Sequence, residues 1–357
     1  MNIDISQIFI TPRDTILDAI ACIDRTIAKI ALVVDQDQKL IDTITDGDVR
    51  RAILQNINLE ESIDLLQDVK LNTRATGPIS ASPDTPDDTL KQIMQSQRIR
   101  QIPLIDSARK VVGLVRLQDL SPEESSVVQA VVMAGGLGSR LRPLTNDIPK
   151  PMLPIGSKPL IATIIEQLRN AGINQVNLAT HFKHEIISEH FGNGSNFGVD
   201  INYVNEDKPL GTAGALGLLG EPDKPILVIN GDVLTQVDFK SMIDFHEEHN
   251  AQMTIGVRQH DLQVPYGVVE TDSIFVTGIS EKPIVRNLIN AGIYLLNPEI
   301  CNYVPSGQHY DMPDLITRLI SDNKRVVTFP VREYWLDIGR IEDYQQAIEE
   351  LNNNEQH

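Results

Sequence analysis

Positive charge is scarce in this 357-residue chain: 31 lysines and arginines face 49 aspartates and glutamates, for a formal net charge of −18. Binding along a nucleic-acid backbone needs a basic surface, so that class of partner is excluded. Neither half hides a basic domain. Residues 1–124 hold 14 basic and 20 acidic residues, a balance of −6, and the remainder 17 and 29, a balance of −12. Long apolar runs are also missing, and none approaches the ~20 residues that span a bilayer. The opening MNIDISQIFITPRD has no basic stretch leading into an apolar one, so neither a membrane span nor a secretory signal is expected. Only two cysteines occur, Cys22 and Cys301, and neither sits in a Cys-x-x-Cys motif. They read as free thiols in a reducing cytoplasm. No Ser-His or Cys-His constellation suggests a protein nucleophile. His181 and His184, like His246 and His249, stand at i, i+3 where zinc protease helices use i, i+4, so all four read as surface residues.

With 41% hydrophobic and 22% charged residues the chain has the makings of an ordinary globular core, and its length suits two or three domains. The richest stretch runs from Val131 to Lys158. Val127 to Ala134 has the β-branched content of a buried parallel strand. It ends in Gly135-Gly136-Leu137-Gly138, where the backbone can turn sharply and bring N–H groups close to a ligand. Arg140 and Arg142 follow, and Lys150 lies between Pro149 and Pro151. Glycines with free donors plus fixed cations make a phosphate cradle. A dinucleotide fingerprint would need a third glycine near the point where Arg140 stands, and a P-loop would need Gly-Lys-Ser/Thr, which is absent.

The segment from Gly135 to Pro151 instead resembles the signature of sugar-1-phosphate nucleotidyltransferases, Gly-Gly-x-Gly-x-Arg-Leu-x-Pro-Leu-Thr followed by Pro-Lys-Pro. Beyond it, apolar strand-like runs alternate with amphipathic helical ones, so residues 127–357 are expected to form a Rossmann-like α/β/α domain with a mixed, mostly parallel sheet. Helices are expected at Leu160–Asn170, at His181–Phe191 and from Ile341 to Leu351, with the last six residues frayed. Strands are expected at Gln175–Ala179, Ile201–Asn205 and Val326–Val331. The resemblance implies that Ala134, Gly135, Gly136, Gly138 and Ser139 hold the nucleotide together with Gly211 and Thr212 of Pro-Leu-Gly-Thr-Ala-Gly. It implies that Arg140, Lys150 and Lys282 balance phosphate charge, and that Asp232 and Asp337 bind Mg²⁺. It also implies that Gly267, Glu281, Asn290 and Gly292 line the sugar pocket. Glu206 falls where the family contacts the base edge. A carboxylate offers acceptors only, and guanine presents N1–H and N2–H side by side, so GTP is the favoured nucleotide.

Residues 1–122 contain an internal repeat, roughly 1–60 and 70–122. Ala31-Leu-Val-Val-Asp35 returns as Ile102-Pro-Leu-Ile-Asp106 at an offset of 71, which also carries Thr45-Asp-Gly-Asp48 onto Arg116-Leu-Gln-Asp119. Each copy reads as helix, strand, polar turn, strand, helix, and the pair resembles tandem CBS domains. That resemblance implies an adenine nucleotide held through Thr45 and Asp48, with Arg116 and Asp119 at the second site, where an arginine replaces the usual hydroxyl. The polar stretch Leu120–Ser126 reads as a linker.

Taken together, the resemblances imply a cytoplasmic enzyme that joins a hexose or hexosamine 1-phosphate to an NTP and releases pyrophosphate, working as a homo-oligomer. A CBS pair ahead of such a domain resembles the glucosamine-1-phosphate guanylyltransferases of legionaminic acid synthesis. Mannose-1-phosphate guanylyltransferases, and relatives using UTP, dTTP or CTP, are the alternatives. A non-catalytic nucleotide-binding regulator is the alternative of a different class.

Overall fold

A computed structural model describes residues 4–26, 28–66, 70, 77–120 and 128–354. The fold divides into two compact units, residues 1–125 and 126–357. Most of the expected linker, residues 121–126, lies outside the described residues.

In the first unit, Thr15 opens the helix Ile16–Arg25 with a capping box: its hydroxyl accepts from the Asp18 N–H and the Asp18 carboxylate accepts from the Thr15 N–H. Ile16, Ala19, Cys22 and Ile23 recur at helical spacing and are buried against the strands. Strand β1 (Phe9–Ile10) runs parallel to β2 (Ile30–Val34), which pairs antiparallel with β3 (Leu40–Thr45). Every residue of β2 is buried. The helix Asp46–Leu54 follows. The second repeat sets the helix Asp87–Gln97 before the antiparallel pair β4 (Gln101–Ile105) and β5 (Val111–Arg116), then the short helix Leu117–Leu120. The two hairpin turns join: Leu40 N–H donates to the Arg109 carbonyl at 3.1 Å and Val111 N–H to the Gln38 carbonyl at 3.0 Å.

The second unit is built on strands β6 (Gln129–Met133), the small pair β7 (Pro154–Ile155) and β8 (Lys158–Pro159), β9 (Gln175–Thr180), β10 (Asp200–Asn205), β11 (Ile226–Asn230), β12 (Val233–Thr235), β13 (Met253–Gln263), β14 (Val268–Asp272), β15 (Phe275–Ser280), β16 (Ile284–Leu296), β17 (Val326–Pro330) and β18 (Trp335–Asp337). Seven of them form one sheet in the order β10-β9-β6-β11-β16-β13-β17. Only β16 runs against its neighbours, so the sheet is mixed and mostly parallel.

The alternation of side chains along buried strands decides the layering. Ala130, Val132, Leu227 and Ile229 point into a core shared with the helices Leu160–Asn170, His184–Phe191 and Phe239–Glu248. Val131, Ile226 and Val228 point to the opposite core, which includes Ala213, Leu216 and the helix Met312–Ser321. Each such Val, Leu or Ile contributes ~1.5–3 kcal/mol of burial. Past the sheet, β13 and β16 continue together as a two-stranded ribbon that carries the hairpin β14–β15, and the residues of this arm are almost all exposed.

Three expectations need correction. The helix after β9 begins at His184, because Lys183 takes a left-handed conformation at φ 51° and breaks the helix before it. The histidines are not all on the surface. His246 is buried at 5% exposure, its Nδ1 sharing a hydrogen bond with Thr254 Oγ1 and its Nε2 with Asn297 Oδ1, and burial lowers its pKa. His181, His184 and His249 are half-buried. The last helix runs Ile341–Asn354, longer than expected, and residues 355–357 lie outside the described residues. Among the described residues no helix is long and apolar enough to cross a membrane.

Candidate active site

Four parallel strands end on one edge of the sheet, where α/β folds gather ligands. Gly135 follows β6, His181 follows β9, Glu206 follows β10 and Asp232 follows β11. Three groups of side chains form there.

The first is a charge cluster. β12 and β18 pair antiparallel with Val233 opposite Asp337, and the Ile338 N–H donates to the Asp232 carbonyl at 3.0 Å, so the two expected aspartates are brought side by side. Lys150 is held in a tight turn between Pro149 and Pro151, and its buried ammonium donates to Asp232 Oδ2 at 2.5 Å. Burial and the neighbouring Asp232 push the Asp337 carboxyl up from its ordinary value, while Lys150 and Arg140 act against that rise. Gly138 closes the loop over this cluster at φ +61°. A methyl group there would sit 2.8 Å from Thr145 Cγ2 and 3.1 Å from Lys150 Cβ, so only glycine permits the approach. Thr145 fastens the turn, its hydroxyl donating to the Gly138 carbonyl at 2.7 Å. Behind Asp337, Asp343 Oδ2 accepts from the Gly339 and Arg340 N–H groups at 3.1 and 2.7 Å. The position of a Gly339 methyl would lie 3.7 Å from both Arg140 Nη1 and Asp337 Oδ2, which places Arg140 at the rim of the cluster.

The second group surrounds Glu206. Its N–H donates to the Thr180 carbonyl at 2.9 Å, and its Oε2 accepts from the Leu210 N–H at 3.1 Å. The side chain is nearly enclosed at 9% exposure, and burial raises its pKa. His181 Nδ1 lies 2.8 Å from the Glu206 carbonyl, which can only accept, so Nδ1 carries the proton. Gly135 faces both residues, a methyl there reaching within 3.5 Å of Glu206 Oε2. The Gly211–Thr212 turn next to Leu210 is pinned from far along the chain. Asp311 Oδ1 accepts from the Thr212 N–H at 2.9 Å and from its hydroxyl at 3.3 Å, and the Met312 N–H donates to the same hydroxyl at 2.8 Å. Gly211 is at φ +81°, where a methyl would come within 2.5 Å of Asp311 Oδ1.

The third group stands on β16 beyond the end of β11. Asn290 Nδ2 donates to the Tyr294 hydroxyl at 2.7 Å, and its Oδ1 accepts from the Gly292 N–H at 3.0 Å. Gly292 packs directly on Asn230. Among the described residues Gly267, Glu281 and Lys282 make no hydrogen bond to this group. They lie exposed on the arm, where Gly267 faces Glu281. Among the described residues Lys282 makes no hydrogen bond or ion pair to the aspartates.

In the first unit, Thr45 and Asp48 are engaged in capping the helix Asp46–Leu54, and Asp48 also accepts from Arg51 Nη2 at 2.6 Å. Burial would raise the Asp48 carboxyl, but Lys70, Arg51 and the Thr45 N–H outweigh it and hold it low. The Arg116 guanidinium forks onto Asp119 at 2.8 and 2.5 Å.

Sequence reasoning read His181 as a surface residue and passed over Thr145, Asp311 and Asp343. Asp311 lies 99 residues from Thr212 and no local motif joins them, whereas Asp343 three residues after Arg340 was open to a capping argument.

Residues 129–354 match the model of the nucleotidyl transferase family, and residues 3–55 and 70–123 match the CBS domain. The chain is similar to mannose-1-phosphate guanyltransferase of Saccharomyces cerevisiae, 34% identical over 227 residues, covering 61% of this chain and 63% of that one. It is 36% identical over 242 residues to UTP–glucose-1-phosphate uridylyltransferase of Synechocystis sp., with 62% of each covered. The match therefore spans less than two thirds of these relatives. Among solved structures, HddC from Yersinia pseudotuberculosis complexed with GMP-PN superposes with a TM-score of 0.50 at 28% identity, covering 62% of this chain and 99% of that one.

Proposed function

The chain belongs to the nucleotidyl transferase family, and we propose that it transfers GMP from GTP to a hexose or hexosamine 1-phosphate with release of pyrophosphate. The observation that carries this reading is the meeting of Asp232, Asp337, Lys150 and Arg140 under one glycine turn. The sugar phosphate oxygen attacks the α-phosphorus in line. A phosphate monoester is already largely dianionic near neutral pH, so no strong general base is needed. Catalysis is then positioning and charge neutralisation.

The backbone from Ala134 to Ser139 cradles the triphosphate, and Arg140 and Lys150 balance its charge. Two adjacent carboxylates, one raised in pKa by burial and by the other, are a donor set that suits a divalent cation. Among the described residues no group of three or more His, Cys, Asp or Glu could hold a metal. Phosphate oxygens would have to complete the shell, which suits Mg²⁺. When bound, the ion would neutralise phosphate charge.

Glu206, Gly211 and Thr212 frame the base. An acceptor-only carboxylate favours guanine, and the likeness to a guanyltransferase agrees with that choice. The likeness to a uridylyltransferase supports uracil as the second reading. Asn290 and Gly292 receive the sugar, with Gly267, Glu281 and Lys282 reaching it from the arm. The CBS pair of residues 1–122 binds an adenine nucleotide near Thr45, Asp48, Arg116 and Asp119 and regulates the domain of residues 127–357. The enzyme works in the cytoplasm.

Pyrophosphate release measured across four NTPs and a panel of sugar 1-phosphates tests the reading. GTP with a hexose or hexosamine 1-phosphate should give the highest kcat/KM. Asp232→Asn should lower turnover by on the order of 10²–10³ with the fold retained, and near-normal turnover would remove the metal role. Adenine nucleotides added to the same assay should change its rate or the melting temperature.

A further inference from the structure

One contact at the strand ends has no task in the proposed chemistry: the imidazole of His181 on the main chain of Glu206. Strands β9 and β10 run parallel with Asn205 opposite Thr180, so the next residues in register are Glu206 and His181. The ladder goes one bond further, the Glu206 N–H donating to the Thr180 carbonyl at 2.9 Å. Continued regularly, a parallel ladder would have the Glu206 carbonyl accept from the N–H of Phe182. The chain turns away before that can happen. Lys183 takes a left-handed conformation at φ 51°, and its Nζ donates to the Asn146 carbonyl at 2.7 Å. Among the described residues no backbone N–H reaches the Glu206 carbonyl. The Nδ1–H of His181 takes that place, at 2.8 Å.

A main-chain bond in a ladder forms whatever side chain stands there, whereas this one depends on the residue at position 181. With the imidazole present, Glu206 is fixed on both sides of its Cα, through its N–H and through its carbonyl. Its side chain is 9% exposed, with Oε2 accepting from the Leu210 N–H at 3.1 Å. Gly135 lies against the pair: a methyl there would meet His181 Cβ at 3.4 Å and Glu206 Oε2 at 3.5 Å. The glycine loop, the imidazole and the carboxylate therefore pack as one corner of the site.

We infer that His181 is a positioning residue for nucleobase selection: its Nδ1–H locks the Glu206 backbone, and through it the carboxylate that meets the base. This rests on the reading that Glu206 contacts the base. Discrimination comes from polar groups that the wrong base leaves unpaired, and the penalty exists only where those groups cannot swing to suit it. Supporting contacts hold such groups to within about 0.5 Å. Freed at its carbonyl, Glu206 can turn toward either base, and the two are accepted on more equal terms.

Calorimetric titration of the full chain with GTP and with UTP, both with Mg²⁺, gives the ratio of the two dissociation constants. A misfolded fraction of a variant does not move that ratio. Asparagine carries an N–H where histidine has Nδ1, and glutamine carries one where histidine has Nε2. His181→Leu and His181→Gln should each bring the ratio about fivefold closer to one, the loss set by one hydrogen bond, while His181→Asn should stay within about twofold of the parent. Glu206→Gln, titrated alongside, should shift the ratio as well. If it does not, the base contact itself falls, and this inference with it. A shifted Glu206→Gln ratio beside a parental His181→Leu ratio would overturn the role of His181 alone. So would a loss in His181→Asn: if His181→Gln kept the ratio, the ring would be touching the nucleotide through Nε2, and if neither did, the Nδ1–H would not be what matters. A parent that binds GTP and UTP equally would overturn it too.

Discussion

Replacing Lys150 by methionine tests the charge arrangement most directly. The side chain of Lys150 is 9% exposed and that of Asp232 28%, and their contact is 2.5 Å. Methionine keeps the volume and removes the charge, leaving Asp232 and Asp337 to repel each other with only Arg140 at the rim. Breaking a buried pair by removing one partner costs ~3–5 kcal/mol. The partial exposure of Asp232 reduces that to about 2–3 kcal/mol. For a unit of this size each kcal/mol lowers the melting temperature by ~2–4 °C, so in the presence of a chelator the variant should melt roughly 5–10 °C below the parent. Magnesium should then help the variant more than the parent, because the cation replaces the missing ammonium. An ion at 100 times its dissociation constant returns ~2.7 kcal/mol. Turnover should nevertheless fall by on the order of 10²–10³. The measurement is a pair of melting curves with EDTA and with Mg²⁺, alongside pyrophosphate release. Equal lifts by Mg²⁺ in both proteins would refute the view that the two carboxylates share an ion beside Lys150.

Glu206 has its folded pKa raised by burial. Its contribution to stability is full below the unfolded carboxylate value and is lost as pH rises through the folded one, so Glu206→Gln should melt higher than the parent at neutral pH and converge with it in acid. The same variant should lose preference for GTP over UTP, read as a ratio of kcat/KM. Asp311→Ala removes two of the three hydrogen bonds that hold Thr212 and leaves the one from the Met312 N–H; at ~1 kcal/mol each, the KM for NTP should rise about tenfold or more while kcat changes less. His246 is buried with its pKa lowered, so it stabilises the fold above the unfolded histidine value and that stability fades as pH falls toward the folded one. His246→Gln should flatten the acid side of the stability profile between about pH 6.5 and the folded value, measured by urea unfolding at several pH values.

What could be read in the sequence was whatever a short window contains. The glycine turn with its cations, the strand before it and the aspartate after β11 are local signals, and each stands where the pattern put it. The repeat in the first unit was legible because the same offset relates two motifs. Contacts between distant segments were not legible. Asp232 and Asp337 were paired only through a family resemblance, and the structure supplies the physical link in the two short strands β12 and β18. His246 was misread because its spacing from His249 ignores what lies opposite: Thr254 and Asn297 come from other strands and turns and give the imidazole its partners in the core. The arm escaped notice for the opposite reason. Its sequence alternates and branches like any buried strand, and nothing in composition distinguishes an apolar strand inside a core from one standing clear of it.

The rungs that tie Leu40 to Arg109 and Val111 to Gln38 have a practical consequence for anyone rebuilding this molecule. Each repeat lends the other part of its edge, and Val111 sits among the buried residues of the first copy. Excising one copy, or grafting a foreign one in its place, would strip main-chain groups from the survivor and open its interior to water. The pair has to be moved, silenced or exchanged as a single block.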